Sequence, residues 1–593
     1  MPLWRGREGN VPTDLFTPSQ RRAVPKGARS IGPTYERRRS FGRCRVKPEM
    51  TAESEVGKRL GVLVWRPLPA RIMLTTQVKK KTSLVFWMQR VIEECVRASL
   101  AFDPDPVHDL RVALRRCCSV ADGVRAIDPD PAWRQMKKAG KRLFRKLGEL
   151  RDLHVMQDWV HRLDSPGDAV TGALLQFVTA HEAQRQQEAL QALQEFDRKQ
   201  WERWSRSLPR RMTRLRPGSL VFRHLALEGW TDAYRLHRQT LRNPSQVGLH
   251  RLRIGLKRFR YIVENFLPVE HTVWSDDLKQ VQDLLGEVHD LDVLWSVAAR
   301  ASVFPNAEAR TRWQQRIHEE RAQRIEAYRK KMLGKDSPWQ VWRAELPNRK
   351  EINPAARLRL KIWASLLDPD FKHSLHVSRL ALQLYDGLGI NGKAQGRQSQ
   401  DRSILEIAAL LHDVGRSKDE KGHHKTSYRL IRRLAPPLGW RRQDLRTAAI
   451  IARYHRGALP RPGQKAFQGI SPSQRKEISR LAAILRLANA FDASRDGRIR
   501  RLETCSQDGF LLIAAQGYSA RDRTAQAVAA ARHLLETICG RPVMVKAMKV
   551  AREKVGRRQR NDSGGFTSQA SGSKLLTAKQ RREVPRQKLV AGS

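Results

Sequence analysis

From about residue 80 to residue 335, apolar residues recur at helical spacing almost without interruption, as in SLVFWMQRVIEECVRASL at Ser83–Leu100. This first half reads as a helical bundle. Two landmarks recur within it: VHDLRVALRRCCSV (Val107–Val120) returns as LHRLRIGLKRFRYI (Leu249–Ile262), and LGELRDLHVM (Leu147–Met156) as LGEVHDLDVL (Leu285–Leu294), at offsets of 142 and 138 residues. Two landmarks at nearly one offset indicate duplication of a helical unit, placed at 73–340, with Trp201, Trp204 and Trp230 packing the bundle. A linker follows at 341–358, where LPNRKEINP carries turn signals. The second unit, 359–550, is again helical: an apolar helix through Leu405, Ala408, Ala409 and Leu411 is interrupted at Gly415, and a new helix runs through Leu430 and Ile431. A loop at Gly389–Asp401 precedes that first helix. FLLIAAQG and RPVMVKAMKV read as strands flanking a helix at Arg521–Cys539. The expected fold is mainly α, a duplicated helical bundle followed by an all-α domain with a small α+β cap.

The formal net charge of +53 over 593 residues exceeds what solubility requires and calls for polyanionic partners. Residues 1–72 hold 16 Lys/Arg against 6 Asp/Glu, and 551–593 hold 11 against 3, so +35 of the charge lies between them. Both ends lack a sustained period and read as disordered basic segments, with Met50 and Met73 as alternative starts. The six cysteines (Cys44, Cys95, Cys117, Cys118, Cys505, Cys539) have no C-x-x-C spacing, which suits reduced thiols in a cytoplasmic protein. No run approaches the roughly 18 apolar residues of a spanning helix, so no membrane association is expected.

In the repeated element the cations are aligned. His108, Arg111 and Arg115 stand at i, i+3 and i+7, as do His250, Arg253 and Lys257, with Arg116, Arg258 and Arg260 beside them. Lys137, Lys141 and Arg145 make a further stripe in MKKAGKRLFRKLG, next to Lys138, Arg142 and Lys146. Like charges on one helix face repel by a few tenths of a kcal/mol per pair, a cost that fits an anion normally lying there. Guanidinium grips phosphate oxygens in bidentate fashion and Lys adds point charge.

These residues resemble the CHAD domain, an all-helical duplicated bundle associated with inorganic polyphosphate. The resemblance spans roughly 80–330, with His108 and His250 at the naming positions. It implies polyphosphate binding by His108, Arg111, Arg115, Arg116, Lys137, Lys141, Arg145, His250, Arg253, Lys257, Arg258 and Arg260. Cys118 stands where another Arg is often found, whereas Arg260 fills that place in the second repeat, which implies tighter binding by the second half.

The second unit is organised around AALLHDVGRSKDEKGHHKTSYRLI at Ala408–Ile431, where His412, Asp413, His423 and His424 crowd into one segment. Imidazole and carboxylate together suit manganese, iron or zinc better than magnesium. The segment resembles an HD-type metal-dependent phosphohydrolase, and most of all the HD-like C-terminal domain of exopolyphosphatases. That resemblance implies one or two divalent transition metals held by His373, His412, Asp413 and Asp492, with His423 and His455 (in IARYHRGALP) at a second position; His376 is the alternative to His373. In RLANAFDAS, Asn489 stands where the family has its first Asp, and Asn can ligate only through a neutral carbonyl oxygen.

The function expected is binding of polyphosphate by the bundle, with hydrolysis of a phosphate ester or anhydride by the second domain. His412 and Asp413 act as catalytic residues, and Arg416, Lys425, Arg453 and Arg456 neutralise developing charge. The phosphorylated substrate is unspecified. No Gly-rich phosphate loop precedes the second domain, so processive exopolyphosphatase activity is not expected; nor does a glycine-tyrosine-proline signature follow His455, as in cyclic dinucleotide phosphodiesterases. A non-catalytic polyphosphate scaffold with a degenerate metal site is the alternative, favoured by Asn489. Nucleic acid is a secondary partner class, since Phe, Trp and Tyr make only 7% of residues and base recognition wants aromatics. The location expected is cytoplasmic, with possible association with polyphosphate granules.

Overall fold

Two runs of five helices, the middle three of matching length, make up the first half of the chain in the computed structural model, which describes residues 83–548 apart from 166–167, 389–394 and 508. The basic ends at 1–72 and 551–593, Met50, Met73, Cys44 and the start of the Gly389–Asp401 loop therefore lie outside the described residues. The first run is α1 (Leu84–Leu100), α2 (Pro104–Val124), α3 (Pro131–Leu163), α4 (Ala169–Gln194) and α5 (Arg198–Met212). The second is α6 (Leu220–Arg242), α7 (Gln246–Phe266), α8 (Pro268–Arg300), α9 (Ala307–Met332) and α10 (Pro338–Ala344). α2 and α7 both have 21 residues, α3 and α8 both 33, and α4 and α9 both 26. Equal lengths in equal order are what a duplicated unit leaves behind.

Local signals set the boundaries. Proline at the first position of α3 and α8 starts a helix without wasting an N–H, and Asp130 caps α3 by accepting from the Ala132 amide at 2.9 Å. α2 and α7 pack against each other. The core around them is aromatic: Trp133, Trp201, Trp274 and Trp342 are fully buried. Two of them have satisfied polar edges, Trp133 Nε1 donating to Asp128 at 2.8 Å and Trp201 Nε1 to the Met88 carbonyl at 3.1 Å, whereas Trp342 Nε1 is buried without a hydrogen-bond partner. Trp204 is buried too, and half-buried Trp230 donates to the Trp339 carbonyl at 3.2 Å. A separate cluster built on Leu153, Trp159, Leu291 and Trp313 fills the far ends of α3, α4, α8 and α9.

The stretch 341–358, expected to be a linker, is largely helical. Asn348 and Glu351 form a capping box that starts α11 (Arg349–Ser365), and Pro354, its sixth residue, lies inside the helix and leaves one intrahelical hydrogen bond unmade. α11 lies against α6 on one side and on the other against α13 (Gln395–Leu411) of the second half. α12 (Phe371–Gly387), α14 (His423–Arg433), α15 (Arg442–Arg453) and α16 (Pro472–Phe491) complete the second helical core, and a short 3-10 turn, Val414–Ser417, joins α13 to α14.

The cap has a three-stranded sheet, β1 (Leu502–Gln507), β2 (Phe510–Ala515) and β3 (Val543–Ala547), with β2 in the middle. β1 pairs antiparallel to β2 with Thr504 opposite Ile513, and β3 pairs parallel with Val545 opposite Ile513. The connection from β2 to β3 runs through α17 (Arg523–Cys539), which packs on α16. β1 escapes the sequence pattern because its burial, apart from Leu502, is slight. No helix among the described residues is long and apolar enough to cross a membrane.

Candidate metal centre and cationic groove

The metal-capable side chains sit at helix ends. His412 and Asp413 follow the last residue of α13, His423 is the first of α14, His455 lies just past α15, His373 is in the first turn of α12, and Asp492 caps α16. All six are buried. His412, His423 and His455 share one arrangement: each donates Nδ1–H to the carbonyl three residues earlier, of Ala409, Glu420 and Ala452, at 2.7 or 2.8 Å. That fixes the tautomer and leaves each Nε2 with a lone pair. The three lone pairs face one oxygen, Asp413 Oδ1, at 3.5, 3.1 and 3.7 Å. His423 and His455 Nε2 stand 3.3 Å apart, and His412 Nε2 is buried with no hydrogen-bond partner.

Electron-rich atoms held this close in a dry site repel unless a cation lies among them, so the donor set fits a divalent metal. Asp413, with His423 and His455 or with His373 and His412, forms groups that could hold one. Burial keeps His412 and His455 below the ordinary histidine pKa, so their lone pairs stay available. Burial of Asp413 opposes its ionisation, yet its carboxyl is held far below the usual range, and Arg495, donating to Oδ2, is the partner that stays charged whatever the imidazoles carry.

Closeness of approach makes Gly415 necessary. A Cβ there would lie 2.2 Å from the His423 carbonyl oxygen and 2.6 Å from the Ser427 nitrogen. Ser427 stitches the same crossing, donating to the His412 carbonyl at 2.7 Å and accepting from the Gly415 amide at 2.9 Å.

His373 is engaged differently. Its Nδ1 donates to Asp492 Oδ2 at 2.7 Å and its Nε2 meets Asn489 Oδ1 at 3.0 Å. The other Asp492 oxygen accepts from the Gly497 amide at 3.0 Å. His376 is buried beside Arg379 and belongs to neither metal-capable group. His424 is half-buried, its pKa pushed down to about 4 by burial and by Arg453, His423, Arg456 and Lys425. Over this centre opens a cavity of about 350 Å³ whose wall includes Arg416, Arg456, Arg486, Arg495 and Arg523. Lys425 is on the exposed side of α14 and is not part of that wall, and Arg453 stacks over Tyr454.

Sequence reasoning missed Arg495, Arg486, Arg523 and Ser427. Arg495 donates to Asp413 Oδ2 at 2.8 Å across 82 residues, a pairing with no local signature beyond the turn-forming SRDGR.

In the bundle the two halves bring their cations together. Burial, then Arg253, Arg115, Arg111 and Arg260, press the Lys257 pKa down to about 8. Arg111 donates to the Leu147 carbonyl at 3.0 Å and lies over Phe144. Arg115, Arg253, Lys257, Arg258 and Arg260 form no salt bridge among the described residues. Others of the expected set are matched: Arg116 pairs with Glu264, Lys137 with Asp122, and Arg145 approaches Glu149 at 3.9 Å. Lys141 is exposed on α3. His108 is exposed, while the His250 ring lies 4.9 Å from that of His289. Arg253 and Lys257 border a cavity of about 250 Å³ that also holds Asp283, Glu287 and Asp290. Cys118 packs close to Gly140, on which an added Cβ would lie 3.1 Å from the Cys118 Sγ.

Two family models match the chain. That of the CHAD domain matches residues 88–299, and that of the Ppx/GppA phosphatase, domain III, matches residues 362–522. A crystal structure of the CHAD domain from the plant Ricinus communis is 20% identical, covering 44% of this chain and 88% of its own, with a TM-score of 0.30. No curated protein matches. The CHAD match falls on α1–α8, and the phosphatase match runs from α11 to the loop before α17 and contains every residue of the metal centre.

Proposed function

We propose that this protein binds inorganic polyphosphate through the bundle and hydrolyses a phosphate ester or anhydride at the centre built on Asp413. The observation that carries the hydrolytic reading is the convergence of three imidazole lone pairs on Asp413 Oδ1 beneath an arginine-walled cavity. His412, Asp413, His423 and His455 would hold a divalent transition metal, with His373 and Asp492 next to them. Bound there, such an ion supplies Lewis acidity and a water of lowered pKa. The chain's own contribution is orientation. Backbone carbonyls fix the three imidazoles, and Arg416, Arg456, Arg486 and Arg523 present guanidinium groups to phosphate oxygens.

The polyphosphate reading is supported by the unpaired cations shared between the repeats and by the CHAD and Ppx/GppA domain matches. A second reading, binding without turnover, is favoured by His373, both of whose nitrogens are taken by Asp492 and Asn489. Phosphate release from polyphosphate, guanosine tetraphosphate and generic phosphodiesters, with metal content measured alongside, separates the two. Turnover by the wild type that is absent from a His412→Ala/Asp413→Ala variant supports the enzyme. Polyphosphate binding with no turnover of any substrate supports the scaffold, and preference for DNA over polyphosphate at equal phosphate concentration overturns the bundle's assignment.

A further inference from the structure

The two oxygens of Asp413 face different worlds. Oδ1 looks at the three imidazole lone pairs. Oδ2 accepts from Arg495 Nη2 at 2.8 Å and lies 3.5 Å from Arg416 Nη1. Arg495 is anchored on its other side as well, Nη1 donating to Asp370 Oδ2 at 2.6 Å. Asp370 is the N-cap of α12, the helix that carries His373. One guanidinium thus ties the carboxylate of the centre to the helix bearing the neighbouring histidine.

The backbone is bent to put it there. Arg495 has φ +56°, one of two non-glycine residues with positive φ among those described. For a side chain with a Cβ that region is strained, and such strain is retained where surrounding contacts over-determine it. The turn is held by the Arg495 amide donating to the Asp492 carbonyl at 3.0 Å and by the Gly497 amide donating to Asp492 Oδ1.

A second metal beside His373 would need ligands that are already committed. Both His373 nitrogens are engaged, both Asp492 oxygens accept hydrogen bonds, Asn489 offers a neutral oxygen to His373, and Asp413 Oδ2 is held by a cation. Of the two Asp413 oxygens, Oδ1 is the one that faces imidazole nitrogens rather than a guanidinium.

We propose that Arg495 occupies, as a fixed positive charge, the place of a second ion, so that the centre takes one divalent metal on the His412, His423, His455 and Asp413 Oδ1 side. This rests on the metal-centre reading above. Neutralisation of Asp413 Oδ2 by a guanidinium makes binding of a further dication there a displacement rather than an addition.

The test is manganese stoichiometry of the full chain, by elemental analysis after equilibration with Mn²⁺ and by electron paramagnetic resonance. Wild type and Arg495→Lys are expected to bind one ion with the spectrum of an isolated Mn²⁺. Arg495→Ala is expected to bind two with an exchange-coupled spectrum. Two coupled ions in the wild type, or a single ion in a folded Arg495→Ala, overturn the assignment while leaving the metal centre standing. No bound manganese in any of the three overturns the metal centre itself. Should Arg495→Ala not fold, the wild-type count and spectrum decide alone.

Discussion

Arg359, in α11, donates through Nη1 to both carboxylate oxygens of Glu228, in α6, at 2.8 Å, while its Nε reaches the Ala126 carbonyl at 3.0 Å. Glu228 also accepts from the Leu438 amide at 2.7 Å, and the Leu438 carbonyl meets His224 Nε2 at 3.0 Å. The bundle and the second half are thereby joined by a network that is largely buried.

Removal of one partner leaves the other charge without compensation. Glu228→Ala is expected to cost about 3 kcal/mol and to split a single thermal transition into two, because the bundle and the second half each keep their own hydrophobic core. Calorimetry of the full chain checks this. A single transition at the wild-type temperature would show that the network contributes nothing to coupling.

Gly415→Ala should damage the metal centre without touching a ligand. The added methyl would collide with backbone of α14 and push His423 away from Asp413. Overpacking of this kind costs on the order of 2 kcal/mol, and the expected signature is metal affinity lost by more than tenfold in a protein with wild-type helical content. Unchanged manganese affinity would contradict the crossing described here.

His237 is buried against Tyr328, with Nδ1 2.8 Å from its hydroxyl, and burial pushes its pKa down to about 4. The unfolded chain, with an ordinary histidine value near 6.5, then takes up a proton before the folded one does. Stability from this group is complete above about pH 6.5 and is lost as pH falls toward 4. His237→Gln is expected to flatten the stability profile in that window by up to about 1.4 kcal/mol per pH unit, measured by urea denaturation at stepped pH.

Lys257, with its pKa near 8, should make polyanion binding pH-dependent. A bound phosphate chain favours the ammonium form and raises its pKa. Affinity is then greatest below pH 8 and falls as pH rises through it, with uptake of up to one proton on binding. Lys257→Arg is expected to remove that dependence while keeping the steep loss of affinity with salt that release of counterions from a polyanion produces. Titration calorimetry with polyphosphate in two buffers of different ionisation enthalpy reads the proton directly.

The repeat was legible because helices of 21 and 33 residues keep their periodicity and their landmarks through duplication. His412, Asp413, His423 and His455 were legible because a histidine pair and a His-Asp pair are dense signals at helix ends. What the sequence hides is partnership at long range. Arg116 and Lys137 look like free cations in a stripe until Glu264 and Asp122 meet them, and Lys425, two residues from His423 in sequence, turns outward on α14. Arg495 has no local signal, since its role arises from a turn conformation that brings it to an aspartate far back in the chain. The helix α11 was hidden by its proline and asparagines, which read as loop residues although the Asn348–Glu351 capping box starts the helix ahead of Asn353 and Pro354.

The longest helices of the bundle run through two hydrophobic cores in series. Leu147 and Leu285 belong to the first, Leu153 and Leu291 to the second. At the seam stand Gly148 and Gly286, the same residue of each repeat, and neither has neighbours that would exclude a methyl group. Mid-helix glycine weakens a helix by about 1 kcal/mol relative to alanine. The bundle consequently has a waist. Any bending of these two long helices is expected to concentrate at that level, because the tip and the base have separate cores there.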